Sequence, residues 1–155
     1  MMPPSIRPML ASDIPLLANW MVQVPLWQRY NLTAEQAITN FQSAMQQGDW
    51  LLTADIDHPA QGFAWAVPRG AFARSPYLRL IGVQPGSAST GVGSTLLHAI
   101  EERARAHATD IFLLVSDFNT DAQRFYIRHG YHQIGQIPAF VLPNISELIF
   151  RKTLK

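Results

Sequence analysis

The stretch Val83-Gln84-Pro85-Gly86-Ser87-Ala88-Ser89-Thr90-Gly91-Val92-Gly93-Ser94-Thr95-Leu96-Leu97 decides how this chain is read. Before it runs an apolar segment, Tyr77-Leu78-Arg79-Leu80-Ile81-Gly82-Val83. After it, Val92, Leu96, Leu97, Ile100 and Ala104 recur on one helical face. A strand therefore passes into a helix through glycine, serine and threonine. The first N–H groups of a helix have no intrahelical acceptor, and the helix dipole adds positive potential there. Such a turn can receive phosphate or diphosphate, and glycine lets backbone approach a ligand with no Cβ in the way.

Several motifs compete for this turn. A Walker loop needs G-x-x-x-x-G-K-S/T. Gly86 and Gly91 have the spacing, but Val92 stands where the lysine must be and Gly93 where the hydroxyl must be. That reading is rejected. A dinucleotide fingerprint needs G-x-G-x-x-G. Gly91 and Gly93 fit, but Leu96 fills the third place, so this reading is weak. A tight helix start with no ligand remains a plain alternative.

Working outward, residues 5–9 read as a first strand. Ser12-Asp13 offers cap chemistry for a helix carrying Leu16, Leu17, Trp20, Met21 and Val24, which Pro25 ends. Thr33 and Gln36 have capping-box spacing and open a second helix that Gly48 terminates. Residues 50–56 and 61–67 read as strands around a turn at 57–60. Residues 68–76 read as a loop bearing Arg69 and Arg74. Downstream, 111–115 is a continuous apolar run, as in a strand buried on both faces. A short helix over 122–129 closes at Gly130. Strands at 131–137 and 145–154 flank a Pro-bounded loop at 138–143. The order is β-α-α-β-β-β-α-β-α-β-β, an α/β fold with helices crossing over one mixed sheet.

Composition supports one domain over residues 1–155. The chain has 155 residues, 48% of them hydrophobic and 15% charged, which excludes a disordered polymer. The formal net charge of +1 gives no electrostatic case for nucleic acid or an anionic membrane. The absence of cysteine removes disulfides, thiolate metal sites and a cysteine nucleophile. No His/Asp/Glu spacing points to a metal. No apolar run approaches the ~18 residues of a membrane helix, and no signal peptide is expected. A cytoplasmic protein is expected.

A second block, Val115-x-x-x-Asn119-x-x-Ala122-x-x-Phe125-Tyr126-x-x-x-Gly130-Tyr131, changes the weight of the first. Together the two resemble the GNAT superfamily, whose members take an acyl group from acyl-CoA. The first block matches that family's R/Q-x-x-G-x-G/A turn at Gly91 and Gly93 and departs at Ala88, where Arg or Gln is usual. The second matches through Asn119, the Phe125-Tyr126 pair and Gly130-Tyr131. The element order agrees over essentially the whole chain.

The resemblance implies a GNAT-like mixed central sheet whose strands 77–83 and 111–117 splay apart at their C-terminal ends. Pantetheine would lie in that gap and pair with backbone near Ile81 and Val83, since a strand edge can extend its ladder to a ligand's amides. The diphosphate would rest on the amides of Ser89, Thr90, Gly91, Val92, Gly93 and Ser94. Asn119 and Phe125 would adjoin the acetyl-CoA cosubstrate. Ala88 removes one polar side chain and would weaken that binding. Tyr126 would serve as general acid toward the departing sulfur, with the Val83 N–H as oxyanion donor.

Plainer readings stand beside these. Tyr126 and Phe125 could be packed aromatics, and Asn119 a helix N-cap. Strand 77–83 carries no carboxylate to act as base; Asp117, Glu35 and His132 are weak substitutes for one, and an ordered water chain is the alternative. Trp27, Tyr30, Tyr77 and Phe140 would line an acceptor pocket suited to a small-molecule amine with an apolar or carboxylate part. Ordinary packing is the alternative for Trp27 and Tyr30. Apolar strand edges allow a homodimer. The expected activity is transfer of an acetyl group from acetyl-CoA to a primary amine. A non-catalytic acyl-CoA-binding or interaction module of the same fold is the alternative.

Overall fold

The computed structural model describes residues 3–87 and 91–155. Seven strands and five helices follow one another among those residues. The chain forms two compact units. The first comprises the residues up to Ala66 together with Leu80–Glu102, and the second comprises Val67–Arg79 with Arg103–Lys155.

In the first unit, β1 (Ser5–Pro8) leads to α1 (Asp13–Met21), α2 (Pro25–Arg29) and α3 (Ala34–Gln47). Ser12 makes no side-chain cap to α1. Asp13 instead turns inward. Its carboxylate accepts from the Leu10 N–H at 2.7 Å and from both terminal nitrogens of Arg7 at 2.7 and 2.8 Å. Arg7 also reaches Asp55, and these bonds hold both carboxyls below their ordinary pKa.

Pro25 does not end the first helix as expected. Helix α1 stops at Met21, and Pro25 begins α2. Proline lacks only an N–H that a first helical residue does not use, so the residue suits a start as well as a stop. The capping box at α3 is present in both directions, with Gln36 N–H to Thr33 Oγ1 at 3.1 Å and Thr33 N–H to Gln36 Oε1 at 3.0 Å. Gly48 closes that helix at φ +79°, a conformation that favours glycine.

Strand β2 (Trp50–Asp55) pairs antiparallel with β1 from Ser5↔Asp55 to Pro8↔Leu52. It pairs antiparallel with the start of β3 (Gly62–Ala71) from Trp50↔Ala66 to Ala54↔Gly62. Against this face lies an apolar core containing Leu17, Trp20, Met21, Trp27, Phe41 and Phe63. Phe41 meets Phe63 edge-on at 5.2 Å, while Trp20, Trp27 and Phe63 lie pairwise at 5.9–6.2 Å. Pairs of this kind add about 0.5–1.5 kcal/mol each beyond buried area. The one polar atom of the Trp20 ring is satisfied, its indole N–H donating to the Ala60 carbonyl at 2.9 Å.

The second unit holds the tip of a hairpin between β3 and β4 (Ser75–Val83), followed by β5 (Asp110–Ser116), α5 (Thr120–Arg128), β6 (His132–Ile137) and β7 (Glu147–Thr153). The expected loop over 68–76 is mostly strand. Strand β3 runs on to Ala71 and β4 starts at Ser75. Phe72 and Ala73 both take positive φ, 58° and 55°, and the Arg74 N–H donates to the Ala71 carbonyl at 3.1 Å. Positive φ at both central residues is what a tight hairpin turn needs. At non-glycine residues it costs about 1 kcal/mol or more each. Arg69 offsets part of this, with Nε and Nη2 donating to the Ala73 carbonyl at 3.0 and 2.8 Å.

The strand order here is β3-β4-β5-β7-β6. Strands β4 and β5 are parallel, with Tyr77↔Phe112 and Leu78↔Leu113 in register, and the β5/β7 and β6/β7 pairs are antiparallel. The sheet is mixed, as expected. Helix α4 (Val92–Arg105) buries Val92, Leu96, Leu97, Ile100 and Ala104, the face read from the sequence. Among the described residues, no helix is long and apolar enough to cross a membrane.

Candidate functional site

In the first unit the site is the end of β4 and the turn into α4. A Cβ placed on Gly82 would lie 2.4 Å from Trp27 Cη2 and 3.0 Å from Phe63 Cε1. Glycine is therefore required here by space rather than by backbone angle. Because side chains alternate along a strand, Ile81 and Val83 present their side chains to the face opposite Trp27.

After Val83 the chain is held at two points. The Gln84 N–H donates to the Gln61 carbonyl at 2.8 Å, and Gln61 Nε2 donates to Ser87 Oγ at 3.1 Å. Gly86 and Gly91 take φ of +91° and +74°. The Thr95 N–H and hydroxyl both donate to the Gly91 carbonyl at 3.1 Å, which fixes the first turn of α4. Val92 is fully buried, while Gly93 and Ser94 are half-buried. This end of a 14-residue helix carries the positive end of its dipole. It can hold an anion through backbone amides.

In the second unit lie the ionisable Tyr126 and Tyr77. Tyr126, on α5, packs its ring against Phe125, Tyr131 and Phe150 at centroid distances of 5.3, 5.6 and 6.4 Å. Its hydroxyl makes no hydrogen bond to a described residue. Thr53 Oγ1 is the one occluded side-chain polar atom without a partner among the described residues. Burial pushes the Tyr126 pKa well above the ordinary 10, and nearby Tyr77 adds to the rise. Burial also raises Tyr77, with Arg79 opposing and Glu147 reinforcing the shift. The phenol of Tyr126 is thus a neutral donor across the physiological range.

The first unit thus carries a strand–glycine–helix turn that can hold an anion, and the second carries a protonated phenol on α5. The family model described as the acetyltransferase (GNAT) family matches residues 16–131. This chain belongs to that family. Among curated protein sequences none matches it.

Solved GNAT structures share the fold at low identity. The chain is similar to yncA of Salmonella typhimurium, solved with its cofactor acetyl-CoA, at 14% identity and a TM-score of 0.78, covering 99% of this chain and 95% of that one. It is similar to a ribosomal-protein-alanine N-acetyltransferase from Brucella melitensis at 20% identity and a TM-score of 0.80, covering 97% and 99%. It is also similar to an aminoglycoside 6'-N-acetyltransferase complexed with coenzyme A, at 14% identity and a TM-score of 0.77, covering 97% of each chain.

For a GNAT chain, the expected contacts fall as follows. Ser89 and Thr90, with Ala88, lie outside the described residues. Ile81, Val83, Gly91, Val92, Gly93 and Ser94 fall on the β4 end and the α4 start. Asn119 is the N-cap of α5, its side-chain oxygen accepting from the Ala122 N–H at 3.3 Å. The Phe125 ring lies between Tyr126 and His129, 4.5 Å from the latter. Trp27 is buried in the aromatic core, its ring edge against Gly82. Tyr30 is half-buried at the end of α2, and Phe140 is exposed in the loop after β6.

Of the substitute bases, Glu35 and His132 are exposed. Asp117 accepts from the Ser146 N–H at 3.0 Å and so ties that loop down. The sequence reading missed Glu147. It is a buried carboxylate whose two oxygens lie 3.4 Å from Ser116 Oγ, directly across the β5/β7 register. Nothing in its local sequence marks it, because its burial depends on that pairing. Among the described residues no group of three His, Asp or Glu could hold a metal.

Proposed function

We propose that this GNAT chain transfers the acetyl group of acetyl-CoA to a primary amine of a small molecule. The neutral amine nitrogen attacks the thioester carbonyl, the C–S bond breaks, the nitrogen loses a proton and the sulfur gains one. Products are the N-acetyl amide and free CoA thiol. Tyr126 is the donor to the departing sulfur, and the Val83 N–H is the donor to the oxyanion.

The observation that carries this reading is the match to the acetyltransferase (GNAT) family over residues 16–131, with a buried, protonated phenol at Tyr126. A phenol with a raised pKa keeps its proton, so it gives the sulfur a hydrogen bond at every physiological pH. The start of α4 supports the diphosphate end of the same reading. Acetyl-CoA and CoA in solved GNAT structures of the same fold support the cosubstrate. The charged diphosphate keeps acetyl-CoA inside the cell, which supports a cytoplasmic setting.

The test has two parts. Acetyl-CoA at about a hundred times its Kd should stabilise the protein by about 2.7 kcal/mol, a rise in Tm of roughly 5–10 °C, with ATP and NAD inert. Thiol release from acetyl-CoA should then appear with at least one member of a primary-amine panel. Equal shifts with all three nucleotides overturn the cosubstrate. Binding without thiol release across the panel leaves the binding module of the same fold as the correct reading.

A further inference from the structure

We propose that the second unit carries a platform for single-stranded nucleic acid, formed by the more exposed face of β5, β7 and β6 and by the tip of the β3–β4 hairpin. The net charge of +1 conceals a segregation. Ten of the twelve lysines and arginines, but four of the eleven acidic residues, fall in Val67–Arg79 and Arg103–Lys155, so the second unit carries a formal +6 and the first −5. A polyanion meets a local patch, and an average over the chain says nothing about one. Strand register gathers the patch at one end of the sheet. Phe112 on β5 pairs with Arg151 on β7, and Arg151 pairs with His132 on β6. Directly opposed residues share a face. On that face Phe112 is half-buried and Arg151 and His132 are exposed, whereas Ile111 and Leu113 on the other face are buried. The Phe72 ring stands edge-on to Phe112 at 5.6 Å and is 79% exposed. Its backbone holds a costly positive φ, and Arg69 pins the neighbouring Ala73 carbonyl, so a fixed turn presents the ring.

Cations surround these rings. Arg69 and Arg74 lie on either side of Phe72 in the hairpin, and both are exposed. Strand β7 brings Arg151 and Lys152 to the same end, and α5 ends there in Arg128. A Cβ on Gly130, just after α5, would lie 3.4 Å from Lys152 Cε, so that helix end adjoins β7. Among the described residues at this end of the sheet these five face one carboxylate, Asp110, which accepts from Arg151 Nε at 2.8 Å. Helix α4 also ends just before β5, but its Arg103 and Arg105 follow Glu101 and Glu102, so the patch does not rest on them. Four of the five cations are arginine, whose planar fork suits phosphate. The exposed phenyl argues for bases beside the phosphates. Its face carries negative potential and repels a carboxylate, whereas an unpaired base has a face of its own that stacks on it. Aromatic rings on an open sheet among cations are a means of holding single strands. This proposal is independent of the acetyl-CoA reading.

The test is fluorescence anisotropy of the full chain with a labelled mixed-sequence RNA of about twelve nucleotides, and with single-stranded DNA of the same sequence. Binding of either strand supports the platform, and the tighter one names its ligand. Affinity should fall steeply as salt rises. Phe72→Ala should weaken binding about ten-fold, the loss of one stacked base, with the salt dependence unchanged, and Phe72→Tyr should keep it. Arg74→Ala should weaken binding and lower the slope of log affinity against log salt by about 0.7, one phosphate contact on a single strand. No binding of either strand at low salt overturns the proposal, as does wild-type affinity in Phe72→Ala. Equal binding of duplex RNA overturns it too, because paired bases offer no face to the ring. Equal binding of poly-glutamate of the same length overturns it in favour of an acidic protein segment.

Discussion

Thr53 and Tyr126 each carry a hydroxyl with no hydrogen-bond partner among the described residues, and they sit in different surroundings. Thr53 Oγ1, on β2 in the first unit, is fully occluded. Tyr126, on α5 in the second, is buried among aromatic rings. Each unit also carries an aromatic cluster. In the first, Trp20, Trp27, Phe41 and Phe63 fill an apolar core. In the second, Tyr126 and Tyr131 pack with Phe125 and Phe150, so phenols replace purely apolar rings. The contrast teaches that aromatic character alone does not mark a site. A ring set among apolar neighbours is packing, whereas a buried phenol also brings a donor that chemistry can use.

The sharpest way to break the comparison is Gly82→Ala. If Trp27 belongs to a rigid core, a methyl 2.4 Å from its ring carbon has nowhere to go. Overpacking of this kind costs about 2–3 kcal/mol, a fall in Tm of about 5 °C or more by thermal unfolding. In a Trp27→Phe background the same methyl finds room, and the loss should shrink by at least half. If instead Trp27 is a mobile wall of an acceptor pocket, Gly82→Ala will leave Tm in place and change only the acceptor's KM.

Tyr126→Phe tests the other cluster. It removes a hydroxyl that makes no hydrogen bond to a described residue, so Tm at neutral pH should stay within a degree or two. Turnover should drop about ten-fold or more, equivalent to about 1.4 kcal/mol of barrier, with CoA affinity nearly kept. Unchanged turnover would return Tyr126 to the packing class. The pH dependence of stability adds a second reading. Folded Tyr126 holds its proton above the ordinary value of 10, whereas the unfolded chain releases it there. Its contribution is full below about pH 10 and is lost as pH rises beyond. The wild type should therefore lose Tm more steeply than Tyr126→Phe between roughly pH 10 and 11.

What the sequence disclosed divides along the range of the interactions involved. The capping box at Thr33 and Gln36, the cap at Gly48 and the buried stripe of α4 are set within one or two turns of chain, and each was legible. Pro25 was read as a stop because proline suits a helix start equally well. The turn at Phe72-Ala73 was invisible because neither residue is a usual bearer of positive φ, and the Arg69 bonds that hold it become visible only with the hairpin formed. The places of the glycine turn and of Tyr126 in the fold are legible from spacing and resemblance. Those of Glu147 and Gln61 are not. Each is buried by a partner far away in sequence, across the Ser116↔Glu147 register in one case and the Gln84–Ser87 turn in the other.

The smallest expected effect sharpens the opening contrast most directly. Thr53→Val replaces an occluded, unpartnered hydroxyl with a methyl of nearly the same volume. A buried donor and acceptor without a partner carries its desolvation cost into the folded state, so its removal should stabilise by about 1 kcal/mol. That is a rise in Tm of about 2–4 °C. Tyr126→Phe also deletes a hydroxyl without a partner among the described residues, and its Tm change at neutral pH gives the reference for the comparison. The difference between the two Tm changes isolates the cost at Thr53. A loss of stability in Thr53→Val would mean that an ordered water satisfies that oxygen, and the division between a wasted hydroxyl and a usable one would then rest on Tyr126 alone.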